Sequence, residues 1–241
     1  MLPANKENAL HKSIMIRVLI NILDDPFLSK SLYFKGGTCA SMLGYLDRFS
    51  VDLDFDIKSK KDQSTVRTKL ESLFDNLQLT INDKSEKVIQ YYLKYDALGK
   101  SRNTLKIDAV DSPFVNNMYE KLILPEINRY AICQTKETLF TNKLVALVDR
   151  YEKNKSIAGR DLYDIHSFLQ QGFNYNEKLI VERRGVNANS YLKFLIDFID
   201  KNITQTIINQ DLNYLLDYEK FNAIRKTLKQ ETITMLQTRI I

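Results

Sequence analysis

Over residues 7–23, Leu10, Ile14, Val18 and Ile22 recur roughly four apart, the period of one face of an amphipathic helix. Residues 31–35, Ser-Leu-Tyr-Phe-Lys, form a short strand running into Gly36-Gly37. Beyond the glycines, Cys39, Met42, Leu43 and Leu46 return to helical spacing, with Thr38 placed to cap that helix. The next stretch, 51–57, alternates strictly: Val51, Leu53, Phe55 and Ile57 point one way, Asp52, Asp54 and Asp56 the other. Val66, Leu70, Leu73, Phe74 and Leu77 then define a helical face, with Ser64 or Thr65 as its cap. Three alternating runs follow at 77–81, 88–95 and 104–110; in the last, Leu105, Ile107 and Ala109 share one face while Lys106 and Asp108 share the other.

From about 115 onward the strand signal fades and helical periods take over. Phe140, Leu144, Leu147, Val148 and Tyr151 mark one helix and Leu162, Ile165 and Leu169 another; residues 188–201 and 206–238 read as further helices. The expected fold class is therefore α/β (α+β). A small mixed-sheet domain, residues 1–125, is followed by a helical domain, residues 126–241.

Composition narrows the function classes. With 44% apolar and 27% charged residues the chain is too apolar for disorder, and seven glycines and four prolines predict mostly regular, helix-rich structure. No apolar run approaches the roughly 18 residues of a membrane span. The polar stretch 1–13 has no signal-peptide core, so a cytoplasmic location without a membrane partner is expected. Two cysteines cannot build a disulfide framework, and with two histidines beside them a structural zinc site is not expected. The net charge of +5 permits a polyanionic partner. Basic groups thicken in the second half, around Arg183, Arg184, Arg225, Lys226 and Lys229.

The chemistry concentrates in one stretch, where a Gly-Gly-Thr turn opening a helix is followed by Asp-x-Asp-x-Asp on a strand. Glycines let backbone approach a ligand closely, and amides at a helix N-terminus attract phosphate. Period-two spacing gathers Asp52, Asp54 and Asp56 into a negative patch that a divalent cation would neutralise. Oxygen-only ligands suit magnesium, which is held by one or two carboxylates plus substrate phosphates. Asp108, on the polar face of another strand, is a candidate third carboxylate. Phosphate cradle and metal carboxylates together indicate nucleotidyl or phosphoryl transfer with two metal ions.

Gly36-Gly37, Arg48-Phe49-Ser50 and Asp52-Leu53-Asp54-Phe55, followed by Lys143 to Arg150 and then Arg160-Asp161-Leu162-Tyr163-Asp164, appear in one order. Over roughly residues 30–170 that order resembles the AbiEii/AbiGii toxin family of nucleotidyltransferases, which includes the MenT-type toxins, within the polymerase-β-like superfamily. The resemblance implies catalytic Asp52, Asp54, Asp108, Lys143 and Asp161, with metal, Mg2+ or Mn2+, on Asp52, Asp54 and Asp108. It further implies a nucleoside triphosphate bound by Lys35, Gly36, Gly37, Thr38, Lys143 and Arg150. Related transferases commonly carry Ser after the first Gly; here Gly37 stands there, and Thr38 is the candidate phosphate-binding hydroxyl. Lys143 and Arg150, seven apart, share a helix face and suit triphosphate oxygens as a point charge and a bidentate donor.

The same resemblance implies a bacterial toxin of a toxin–antitoxin or phage-defence pair, with a cognate antitoxin and with RNA, the tRNA 3′ end first among candidates, as acceptor. An RNA helix would lie across Arg183, Arg184, Arg225 and Lys226. Transfer to protein hydroxyls (AMPylation) or to a small molecule, or a non-catalytic nucleotide-binding module, stand as alternatives.

Overall fold

The computed structural model describes residues 6–97, 102–111 and 114–240, so residues 1–5 of the polar start lie outside the described residues. The chain divides into two compact units, Met1–Pro113 with Tyr119–Gln134, and Phe114–Met118 with Thr135–Ile241.

The first unit runs α1 (Lys6–Asp24), α2 (Leu28–Ser31), β1 (Leu32–Lys35), α3 (Gly36–Met42), β2 (Asp52–Ile57), a 3-10 turn (Lys60–Asp62), α4 (Gln63–Asn76), β3 (Thr80–Lys84), β4 (Ile89–Lys94), β5 (Thr104–Asp111), β6 (Tyr119–Leu124) and β7 (Arg129–Gln134). Its seven strands form one mixed sheet in the order β3-β4-β5-β2-β1-β7-β6. β2 runs parallel to β5 and β1 parallel to β7, while the remaining neighbours are antiparallel. Alternation sorts the two faces. Leu32, Phe34, Leu53, Phe55, Leu105, Ile107 and Tyr91 are all buried, and α1 packs on β2, β5 and β7. The opposite face carries the acidic residues of β2.

Helix α1 buries His11, Met15, Val18, Leu19 and Ile22, whereas Leu10, expected in the stripe, is exposed. Packing on a sheet selected the neighbouring face that holds the histidine. Helix α3 starts at Gly36 itself, with Lys35 as its N-cap and no side-chain cap, so Thr38 is not the cap. Neither Ser64 nor Thr65 caps α4; a 3-10 turn begun by Ser59 feeds into it, and Asp62 holds the N-cap position. The hairpin β6–β7 was not anticipated. Its turn runs through Pro125 to Asn128, which adopts φ 49°, and its Leu-Ile-Leu end obscures the alternation of the strand.

The second unit is helical: α5 (Lys136–Asn154), α6 (Gly159–Gln170), α7 (Glu177–Arg184), α8 (Ala188–Asn202), α9 (Gln205–Leu212), α10 (Tyr218–Ile224) and α11 (Leu228–Gln237). The Thr135 side chain caps α5 by accepting from Thr138 N. Phe140, Leu144, Leu147 and Val148 are buried as their spacing predicts, and Tyr151 meets Phe198 edge-on at 5.2 Å. The apolar run at 206–238 is three helices rather than one, because Thr204 and Asp217 cap the starts of α9 and α10. Among the described residues no helix is long and apolar enough to cross a membrane. Mixed α/β structure is what the alternating first half and helical second half required.

Candidate active site

Strand pairing builds the acidic site. β2 turns Asp52 and Asp54 away from the core, and the parallel register with β5 sets Asp108 beside Asp54 and Lys106 beside Asp52. On the other side, antiparallel β1 sets Lys35 beside Asp54 and Tyr33 beside Asp56. Directly paired residues share a face, so three adjacent strands present Asp52, Asp54, Asp108 and Lys35 together.

Burial and the charge of Asp52 push the carboxyl of Asp54 up to about 6, with Asp108 adding to the rise and Lys35 and Lys106 opposing it. A half-buried carboxylate whose neighbours repel it more than nearby cations relieve it is short of positive charge. Hard oxygen donors in that state fit Mg2+ or Mn2+. Asp108 is already engaged: Lys106 forms an ion pair with it, and Gln90 Nε2 donates at 3.2 Å to both of its oxygens. Among the described residues, no three His, Cys, Asp or Glu side chains are arranged as a ready metal cage. Asp52 and Asp54 can hold a metal, while Asp108 would first have to give up Lys106 and Gln90.

The glycines serve the carboxylates. Gly36 has φ 78°, and a Cβ there would strike the Asp54 carboxylate, lying 3.0 Å from its Cβ and 3.1 Å from its Cγ. A Cβ on Gly37 would lie 2.8 Å from Arg48 Nη2 and 3.0 Å from Ser50 Oγ. Thr38, the candidate phosphate hydroxyl, is fully buried; its Oγ1 donates to Asp52 O at 2.5 Å and lies 2.9 Å from Ser50 Oγ. It fastens the start of β2 to α3.

His11 is absent from the sequence motifs, and Arg48 and Asp56 take roles that spacing did not assign. Arg48 is buried, with Nη1 donating to Phe49 O at 3.0 Å. His11 is fully buried between Tyr95 Oη (2.6 Å from Nδ1) and Val51 O (2.8 Å from Nε2), and burial lowers its pKa. Neutral His11 thus pins the residue before Asp52; its only sequence signal is a histidine four residues ahead of Met15 on an apolar helix. Asp56 is not part of an open acidic patch. It is 1% exposed and receives Lys35 Nζ at 2.6 Å, Tyr119 Oη at 2.8 Å and Gln134 Nε2 at 2.7 Å.

In the second unit Lys143 and Arg150 share a face of α5 and both reach α6. Lys143 Nζ lies 3.1 Å from Asp161 Oδ1 and 2.8 Å from Asp164 Oδ2, and Arg150 Nε lies 3.1 Å from Asp161 Oδ2. Both aspartates are buried. Burial alone would raise the pKa of Asp161, but Lys143 first and Arg150 next outweigh it and hold the carboxyl at about 2. Arg183 and Arg184, expected on an RNA-facing patch, instead clamp α7 to α5. Arg183 Nη2 meets Asp149 Oδ2 at 2.5 Å, and Arg184 meets Asp149 and Glu152 at 2.8 Å each. Acidic side chains on α5 consume the charge that spacing alone left free.

A family model described as nucleotidyl transferase AbiEii toxin, type IV TA system, matches residues 17–235. Among solved structures, a Helicobacter pylori protein assigned as a nucleotidyltransferase is 24% identical with a TM-score of 0.60, covering 97% of this chain and 95% of its own. JHP933 from Helicobacter pylori is 22% identical with a TM-score of 0.56, covering 98% and 95%. MenT4, a nucleotidyltransferase toxin of Mycobacterium tuberculosis H37Rv, is 16% identical with a TM-score of 0.57, covering 98% and 86%. No curated protein matches the chain significantly. At these identities the solved structures establish the fold.

Proposed function

Because the chain belongs to the AbiEii family of nucleotidyl transferase toxins, we propose that it moves a nucleoside monophosphate from a nucleoside triphosphate to an acceptor hydroxyl. The acceptor oxygen bonds to the α-phosphorus as the bond to the leaving pyrophosphate breaks. The observation that carries the reading is the register of β2 against β5 and β1, which gathers Asp52, Asp54 and Asp108 beside Lys35 at the Gly36 turn. A magnesium or manganese ion, when bound by Asp52 and Asp54, supplies the positive charge that the phosphoryl group and the carboxylates lack.

This chain's own residues do the rest. Lys35 offers its ammonium to the triphosphate and the Gly36 turn its backbone amides, while the missing side chains at Gly36 and Gly37 leave room for Asp54, Arg48 and Ser50. Asp108, held by Lys106 and Gln90, takes the proton of the attacking hydroxyl. Thr38 acts by keeping β2 in place. For the second unit the proposal retains Lys143 as a triphosphate contact and Arg150 as its companion; Asp161 and Asp164 hold the ammonium of Lys143 in one position.

The acceptor proposed is RNA, a tRNA 3′ end first, and the protein partner an antitoxin; both rest on family membership. The test incubates purified protein with each α-labelled nucleoside triphosphate, magnesium and total bacterial RNA. Labelled RNA that disappears with Asp54→Ala supports the reading. Label appearing on protein or small molecules moves the acceptor class, and no label on any acceptor overturns the transferase reading.

A further inference from the structure

We propose that Asp56 is a positioning residue, which holds the Lys35 ammonium where it meets the triphosphate. The inference rests on the transferase reading above and assigns the one buried acid of β2 that the reading leaves unused.

Three donors converge on Asp56 from three strands. Lys35 on β1 takes Oδ1, while Tyr119 on β6 and Gln134 on β7 both donate to Oδ2. The carboxylate is 1% exposed and both of its oxygens already accept protein donors, so it is not open to a metal ion although it shares its face with Asp52 and Asp54. Its two oxygens have separate tasks: Oδ2 is anchored to the β6–β7 hairpin, and Oδ1 aims a lysine. Lys35 is paired across β1–β2 with Asp54, one pleat along from Asp56. Without Asp56, a lysine 23% exposed and on a flexible stem would relax toward solvent or onto the Asp54 carboxylate. With Asp56, the ammonium stays on the site face and Asp54 stays available.

This division predicts what Asp56→Asn does. The amide has one oxygen, and the Tyr119 and Gln134 donors claim it, so the NH2 group turns toward Lys35 and offers only protons. The hairpin anchor survives and the lysine arm is lost. Tyr119→Phe weakens the anchor from the other side and leaves the ion pair in place.

The experiment measures the affinity of each nucleoside triphosphate, in magnesium buffer without acceptor. It compares wild type, Asp56→Asn, Tyr119→Phe, Lys35→Met, Asp56→Asn/Lys35→Met and Tyr119→Phe/Lys35→Met, after circular dichroism shows folded protein. In parallel, acetylation of Lys35 by an N-hydroxysuccinimide ester is followed by mass spectrometry against Lys84 as internal standard. Asp56→Asn should weaken binding about tenfold, the worth of a charge-assisted hydrogen bond. It should also speed Lys35 acetylation severalfold and add nothing in the Lys35→Met background. Should Asp56→Asn fail to fold, Tyr119→Phe carries the test with a roughly two- to threefold loss, confined to proteins that retain Lys35. Unchanged affinity, unchanged acetylation, or a loss that adds in full to that of Lys35→Met overturns the proposal. Wild type that binds triphosphate in this pattern yet transfers nothing to any acceptor refutes the transferase reading while upholding the positioning role. Wild type that binds no triphosphate overturns both.

Discussion

Asp161→Asn isolates the charge of a buried carboxylate while keeping its shape. In the folded protein burial works against ionisation, yet Lys143 and Arg150 bring the pKa from 3.8 down to about 2. A carboxylate with a lowered folded pKa stabilises the fold above its unfolded pKa, and that contribution is lost as pH falls through the folded value. The shift of 3.8 to about 2, at 1.36 kcal/mol per unit, amounts to roughly 2–3 kcal/mol at neutral pH. Asp161 is 1% exposed, so solvent screening takes little from that figure. The cost stays below the ~3–5 kcal/mol of breaking a buried pair outright, because Lys143 keeps Asp164 at 2.8 Å. Urea unfolding followed by far-UV circular dichroism, from neutral pH down to about pH 2, should show the variant roughly 2–3 kcal/mol less stable above pH 5, with the gap closing between about pH 4 and pH 2. A gap that persists unchanged to low pH would mean that packing, not charge, makes the difference. No gap at neutral pH would refute the electrostatic account altogether.

Asp54→Ala should abolish nucleotide transfer yet leave the thermal midpoint unchanged or higher, since it removes a carboxylate pressed by burial and Asp52; a clear drop in midpoint would contradict that electrostatic picture. Gly36→Ala, at φ 78° and against Asp54, should cost at least ~1 kcal/mol of stability and eliminate transfer, read by melting and by product formation. Arg184→Ala should lower stability by roughly 1 kcal/mol through loss of its Asp149 and Glu152 pairs without altering the salt dependence of RNA binding; a flatter salt slope in a filter-binding assay would return Arg184 to the RNA surface.

Sequence alone settled whatever depends on local period and on residue type at a fixed offset. Strict alternation at 51–57 put Asp52 and Asp54 on one face opposite Leu53 and Phe55, since successive strand residues can only alternate. The seven-residue offset of Lys143 and Arg150 put both on one side of α5, because that is two helical turns. Motif order carried the family. Tertiary structure decided everything that depends on which strand lies beside which. Three aspartates looked equivalent along β2, but only Asp56 lies within reach of Lys35, Tyr119 and Gln134, residues 21 to 78 positions away in the chain. The bond from Thr38 Oγ1 to Asp52 O likewise needed β2 to lie against α3, which no local pattern around Thr38 announces. Arg183 and Arg184 read as free charge until α7 met Asp149 and Glu152 on α5. Periodicity is a property of one segment and can be read from it. The partner of a buried charge is a property of two or more segments, chosen because leaving any of those groups unpaired would cost more than the ordering that brings them together.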